Sequence, residues 1–144
     1  MTAPNRDAKP SDHHVVLSLR VTGGFLSGAN LNFADGLNCL IGGRGAGKTT
    51  ALEFLRFGLG LMPDPKTNAQ RHKAIDALVK ANLGSGRLTI ELRTKTDLRY
   101  TAGRAANETV QVLNEAGTAV RGSNRASAPL AQAGRRSVAA RTDR

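Results

Sequence analysis

The chain has 144 residues, 40% of them apolar, and its 21 Lys and Arg against 11 Asp and Glu give a formal charge of +10. That length supports one modest domain and excludes two well-buried cores. A single cysteine excludes an intramolecular disulfide, and no segment approaches the roughly 20 apolar residues of a membrane-spanning helix, so a soluble cytoplasmic protein without a membrane partner is expected.

Residues 1–14, "MTAPNRDAKPSDHH", are polar and form a disordered leader in this reading, with His13 and His14 giving no metal-ligand spacing. Apolar residues then alternate at Val15, Leu17, Leu19 and Val21 and again at Leu31 and Phe33, which predicts two half-buried strands joined by the turn residues "TGGFLSGAN". Leu37 to Ile41 is nearly continuous apolar sequence, the pattern of a strand covered on both faces, and Cys39 within it is expected as a small buried hydrophobe. From Lys48 the pattern turns helical, with Leu52, Leu55 and Leu59 on one face and Phe54 nearby, until Gly58, Gly60, Pro63 and Pro65 stop it. A second amphipathic helix is predicted from Ala69 to Ala81, grouping Ile75, Leu78 and Val79, with Gly84 as its C-terminal cap. Alternation returns at Leu88, Ile90 and Leu92, at Leu98, Tyr100 and Ala102, and at Val110 and Val112, as in an antiparallel meander. The stretch from Arg121 to Arg144 carries six Arg and one Asp, half of the net positive charge, and has no aromatic residue. It is expected to be a disordered, solvated tail, with a nucleic-acid-binding arm as the functional alternative.

The chemistry lies between the fully covered strand and the first helix. Gly42 to Thr49, "GGRGAGKT", satisfies GxxxxGK[ST] in the strand–loop–helix setting that the mechanism of that motif requires. Phosphate oxygens must approach several amides at once, and bulky side chains would obstruct them, which accounts for Gly42, Gly43, Gly45 and Gly47. The N–H groups from about Gly45 to Thr49 form the nest, and the positive end of the following helix points at the same anion. Lys48 adds a point charge for the β- and γ-phosphates, and the Thr49 hydroxyl is the candidate Mg²⁺ ligand. The binding segment is thus Gly42, Gly43, Arg44, Gly45, Ala46, Gly47, Lys48, Thr49 and Thr50, with ATP and Mg²⁺ as its cofactors.

The run "NFADGLNCLIGGRGAGKTTALEFLRFGLG", preceded by a strand and a short turn, resembles the N-terminal half of the SMC/RecF class of ABC-type AAA ATPases. The later segment "RLTIELRTKTDLRYTAGRAANETVQVLNEAGTAV" is similar to the small antiparallel sheet that follows the P-loop helix in that class. The resemblance spans about Val15 to Val120. It implies an α/β P-loop fold, an ABC-type head lobe with a mixed sheet and an antiparallel β meander, in which residues 15–120 form the lobe between leader and tail. It departs at Arg44, usually Asn, and at Ala46, usually Ser; neither side chain is essential to a nest made of backbone. A role in DNA repair or chromosome maintenance, DNA as a partner, and a second head clamped on by nucleotide are implications of the resemblance.

Hydrolysis in the class needs a Walker B Asp and an adjacent Glu after four apolar residues. "VQVLNE" offers Gln111 inside the run and Asn114 in place of the Asp, and with the following "AG" it predicts a hairpin turn. "LSGA", Leu26 to Ala29, is similar to an ABC signature but precedes the P-loop, and is expected to be the turn between the first strands. No catalytic residue is assigned. The expectation is an incomplete head that binds ATP without hydrolysing it, either complemented by a second ATPase half or a truncated remnant. A GTPase or small-molecule kinase is the first alternative, and no NKxD-type guanine reader follows the loop. A non-catalytic nucleic-acid or scaffold module acting through the basic tail is the second.

Overall fold

The computed structural model describes residues 12–120. The expected leader up to residue 11 and the expected tail, 121–144, lie outside the described residues. In chain order the elements are β1 (Val15–Thr22), β2 (Asn30–Asn32), α1 (Lys48–Gly58), α2 (Ala69–Leu83), β3 (Arg87–Arg93), β4 (Arg99–Ala105) and β5 (Gln111–Asn114). The strands form one sheet in the order β2-β1-β3-β4-β5. Every pairing is antiparallel, so the parallel component of the expected mixed sheet is absent among the described residues.

The core forms where the sheet meets the helices. Leu19 and Val21 of β1, Leu88, Ile90 and Leu92 of β3 and Ala102 of β4 pack with Phe54 and Phe57 of α1 and with Ile75, Val79 and Leu83 of α2. The register explains the grouping, since Leu19 stands opposite Ile90 on one side and Leu31 on the other, and Ile90 opposite Ala102. Residues in register share a face of the pleat. Leu31 and Phe33 pack on the edge of this cluster as expected, whereas Leu98 precedes β4 and is exposed.

Two expectations on helix and strand faces are corrected. In β1 a bulge lies between Val16 and Ser18, because Val16 opposes Leu92 while Ser18 opposes Glu91. One extra residue reverses the facing of everything before it. Val16 therefore packs on the core cluster while Val15, though buried, stands opposite Arg93, and Leu17 is only half buried. In α1 the buried side is Thr50, Ala51, Phe54, Phe57 and Gly58, and Leu52 is exposed. A Cβ on Gly58 would stand 2.5 Å from Ile90 Cδ1, so the helix settles on β3 at its glycine. α1 then closes with a Schellman motif. Leu61 N–H donates to Arg56 O at 2.9 Å and Gly60 N–H to Phe57 O at 3.0 Å, with Gly60 left-handed at φ 70°.

The largest correction concerns residues 37–41, which form no strand. Leu37 is 92% and Ile41 94% exposed, and Cys39 is exposed too. A continuous apolar run becomes a buried strand only if other strands and a covering layer meet it. Among the described residues no strand lies beside this one. Asn38 instead closes a tight turn before it, accepting from Ala34 N–H at 2.8 Å and donating to Ala34 O and Gly36 O at 3.0 Å each.

Candidate functional site

The loop 42–47 leads directly into α1, whose first residue is Lys48. Gly45 and Gly47 have φ of 81° and 86°, the left-handed region in which a side chain is strained. Gly42 is restricted differently, since a Cβ there would stand 3.1 Å from Ala46 Cβ. Gly43 meets neither condition: nothing lies within 4 Å of its Cβ position and its φ is not positive. Fold geometry alone thus accounts for three of the four glycines. Nothing in the fold requires a glycine at 43.

Gly47 is the N-cap of α1, and no side chain caps the helix. The first intrahelical bond runs from Ala51 N–H to Gly47 O at 2.8 Å. No acidic residue lies in the first turn. The end of a helix that carries about half a positive charge therefore faces outward with no carboxylate beside it in sequence. Lys48 Nζ folds back over the loop, donating to Gly42 O at 2.6 Å and Gly43 O at 2.8 Å. This keeps the ammonium at the loop's mouth. Thr49 is exposed, Thr50 is buried, and Arg44 and Ala46 lie exposed on the loop.

These residues fit a nucleotide phosphate by three tests: left-handed glycines that turn the backbone, an uncapped helix start and an ammonium at the loop carbonyls. The Thr49 hydroxyl fits a Mg²⁺ that takes most of its ligands from phosphate and water. No group of three or more His, Cys, Asp or Glu positioned to hold a metal occurs among the described residues.

Two further stretches are turns, as expected from their sequence. Leu26 to Ala29 is the turn between β1 and β2, with Ala29 N–H donating to Leu26 O at 3.0 Å and Gly28 N–H to Val21 O at 3.0 Å. "VQVLNE" is β5 and its hairpin turn, where Asn114 N–H donates to Thr118 O at 3.0 Å and Thr118 N–H to Asn114 Oδ1 at 2.8 Å. Glu115 is exposed in that turn, beside an edge strand of the sheet.

Sequence reasoning missed the neighbours of Gly47. A Cβ on that glycine would stand 2.8 Å from Leu26 Cδ2 and 3.1 Å from Phe25 Cε1, so the β1–β2 turn borders the loop. The signal available was an aromatic residue directly after two turn glycines.

Among the described residues no helix is long and apolar enough to cross a membrane. A family model described as an AAA domain matches residues 17–128. Searches of curated proteins and of solved structures gave no match. With most of its length covered by that match and a P-loop sequence at the start of its first helix, the chain belongs to the AAA-domain family of P-loop ATPase domains.

Proposed function

We propose that this chain is the Walker A portion of an SMC/RecF-like, ABC-type ATPase head and that it binds MgATP through Gly42 to Thr50. One observation carries the reading: a GGRGAGKT loop with left-handed Gly45 and Gly47 opens an uncapped helix, with the Lys48 ammonium held at its mouth. The loop amides and helix start would bind the β- and α-phosphates, Lys48 would leave its two carbonyls for the β- and γ-phosphates, and Thr49 would ligate the metal. Mg²⁺ held there by the Thr49 hydroxyl would neutralise charge on the nucleotide's phosphates. The SMC/RecF assignment is supported by the order strand, turn, strand, loop, helix and later antiparallel meander. A link to DNA repair or chromosome maintenance, with DNA and a second ATPase half or head as partners, follows from that assignment.

Turnover requires an oriented water and a second anchor for the metal. Among the described residues Glu115, in the "VQVLNE" candidate, sits in a turn at an edge of the sheet, and no carboxylate on a strand adjoins the loop. Hydrolysis accordingly awaits a signature and Walker B segment. The test is calorimetric titration of MgATP, with phosphate release followed in parallel. Lys48→Ala should weaken binding at least about tenfold, since a charge-assisted contact to phosphate contributes roughly 1.5–3 kcal/mol. Release should stay at background for both proteins. An unchanged binding isotherm for the variant would remove the nucleotide-site assignment, and steady release by the unmodified chain would remove the claim that it needs a complementing segment.

A further inference from the structure

The loop carries a second cation besides Lys48. Ala46 N–H donates to Gly43 O at 3.4 Å, which closes a turn with Arg44 at its first central position and left-handed Gly45, φ 81°, at its second. That is the order of a type II turn, whose second central residue needs a positive φ. Arg44 thus stands at the tip of the loop, and nothing lies within 4 Å of the Cβ positions of Gly43 and Gly45 on either side of it. It is exposed and makes no hydrogen bond or ion pair with the described residues. The sequence supplies no neighbouring counterion either, since no Asp or Glu occurs from Gly36 to Leu52. Arg56, Arg87 and Arg93, by contrast, are each met by a carboxylate, from Glu53, Glu108 and Asp35 respectively.

We propose that the Arg44 side chain reads the terminal phosphate and makes this site selective for a triphosphate over a diphosphate. The proposal rests on the assignment of Gly42 to Thr50 as the phosphate site. The amides that would hold the α- and β-phosphates run from Gly45 into α1, on the C-terminal side of Arg44. The Lys48 ammonium lies at Gly42 O and Gly43 O, on the other limb of the loop, and marks the side from which it would meet the γ-phosphate. Arg44 follows Gly43 directly, with consecutive Cα atoms about 3.8 Å apart, so its long side chain brings the guanidinium within reach of the same phosphoryl group. There its planar fork donates two parallel N–H···O bonds, a geometry that the compact ammonium of lysine lacks. A diphosphate ends one group short of that fork. The resembled class usually has an uncharged asparagine at this place, so the charge at the loop tip is a feature of this chain.

Calorimetric titration of the full chain with MgATP, MgADP and magnesium tripolyphosphate separates Arg44 from the rest of the loop. Arg44→Ala should bind MgATP and magnesium tripolyphosphate about tenfold more weakly than the unmodified protein, the low end for a charge-assisted hydrogen bond because the guanidinium keeps part of its water. MgADP should weaken by no more than about twofold, since a solvated charge one phosphate away contributes little. Arg44→Lys, which keeps the charge and loses the fork, should still bind MgATP more weakly than the unmodified chain. The urea midpoint of Arg44→Ala should not move, because the side chain bonds to no other described residue. Equal MgATP affinity in Arg44→Ala and the unmodified chain would overturn the proposal and leave the phosphate site standing. Equal weakening of MgATP and MgADP would make Arg44 a general positive charge and would overturn it as well. A loss confined to MgATP, with tripolyphosphate unchanged, would place Arg44 against the nucleoside and overturn it too. Failure of the unmodified chain to bind any of the three ligands would remove the phosphate site, and the role of Arg44 with it.

Discussion

At the scale of single residues, the loop glycines separate into those the fold requires and one it does not. Gly47 combines a φ of 86° with Leu26 Cδ2 2.8 Å from its would-be Cβ. An alanine there pays the left-handed penalty of about 1–2 kcal/mol, while the methyl clash falls on the far end of a flexible side chain that can move aside. Gly47→Ala should therefore destabilise the fold by about 1–2 kcal/mol in urea denaturation. Gly43→Ala, with open space around its Cβ position and no positive φ, should stay within about 0.5 kcal/mol of the parent. Equal losses at the two positions would mean that the loop adopts another conformation. The sequence marked all four glycines alike, because a motif records which residues serve the ligand and the backbone together. Only dihedral angles and neighbours divide the two demands.

At the scale of elements, the P-loop helix is fastened at the end away from the loop. Arg104 of β4 lies with its guanidinium carbon 3.7 Å from the Phe57 ring centroid. It donates from Nη1 to Phe57 O at 2.8 Å and from Nε to Glu108 O at 2.9 Å. The acceptor on α1 is one of the last carbonyls of the helix, where a cation also meets the negative end of the dipole. Burial lowers the Arg104 pKa from its ordinary value, and Asp76 opposes that shift; arginine remains charged at any working pH. Arg104→Ala should cost about 2–3 kcal/mol, from charged hydrogen bonds worth roughly 1.5–3 kcal/mol and a stack worth about 0.5–2 kcal/mol that overlap in one side chain. Arg104→Lys should recover less than half of it, since an ammonium cannot stack and fork between two carbonyls at once. Full recovery by lysine in urea melts would show that only the charge matters. Apart from the strand expected at residues 37–41, element existence was legible in the sequence: both helices, the meander, the Gly84 cap and the turn at Leu26 to Ala29 follow from period and turn chemistry. Element faces were less so. Counting leucines chose Leu52 as the inner side of α1, whereas the approach of Gly58 to Ile90 rotates Phe54 and Phe57 inward. The bulge at Leu17 carries no periodic signal, because the extra residue is itself apolar.

At the scale of the whole molecule, residues 37–41 matter most, because their apolar sequence and their exposure conflict. A strand pattern specifies what a segment needs, and whether the need is met depends on elements that local sequence does not encode. The conflict yields a paired measurement. Leu37 is 92% exposed, so Leu37→Ala should change unfolding free energy by less than about 0.5 kcal/mol, while Leu19→Ala, a fully buried residue between β2 and β3, should cost about 2–5 kcal/mol. An exposed apolar run with free backbone edges also invites association with a second copy. The formal charge of +10 opposes that at low ionic strength, so the comparison belongs at about 0.5 M salt, where the screening length falls to roughly 4 Å. There the parent should sediment as a concentration-dependent mixture of monomer and larger species. Leu37→Lys should shift that mixture toward monomer without altering the urea midpoint, because the new charge meets water in the monomer and a desolvated apolar surface in the associated form. A loss of several kcal/mol at Leu37, comparable with that at Leu19, would mean that the segment is covered in solution and that 37–41 is a buried strand after all.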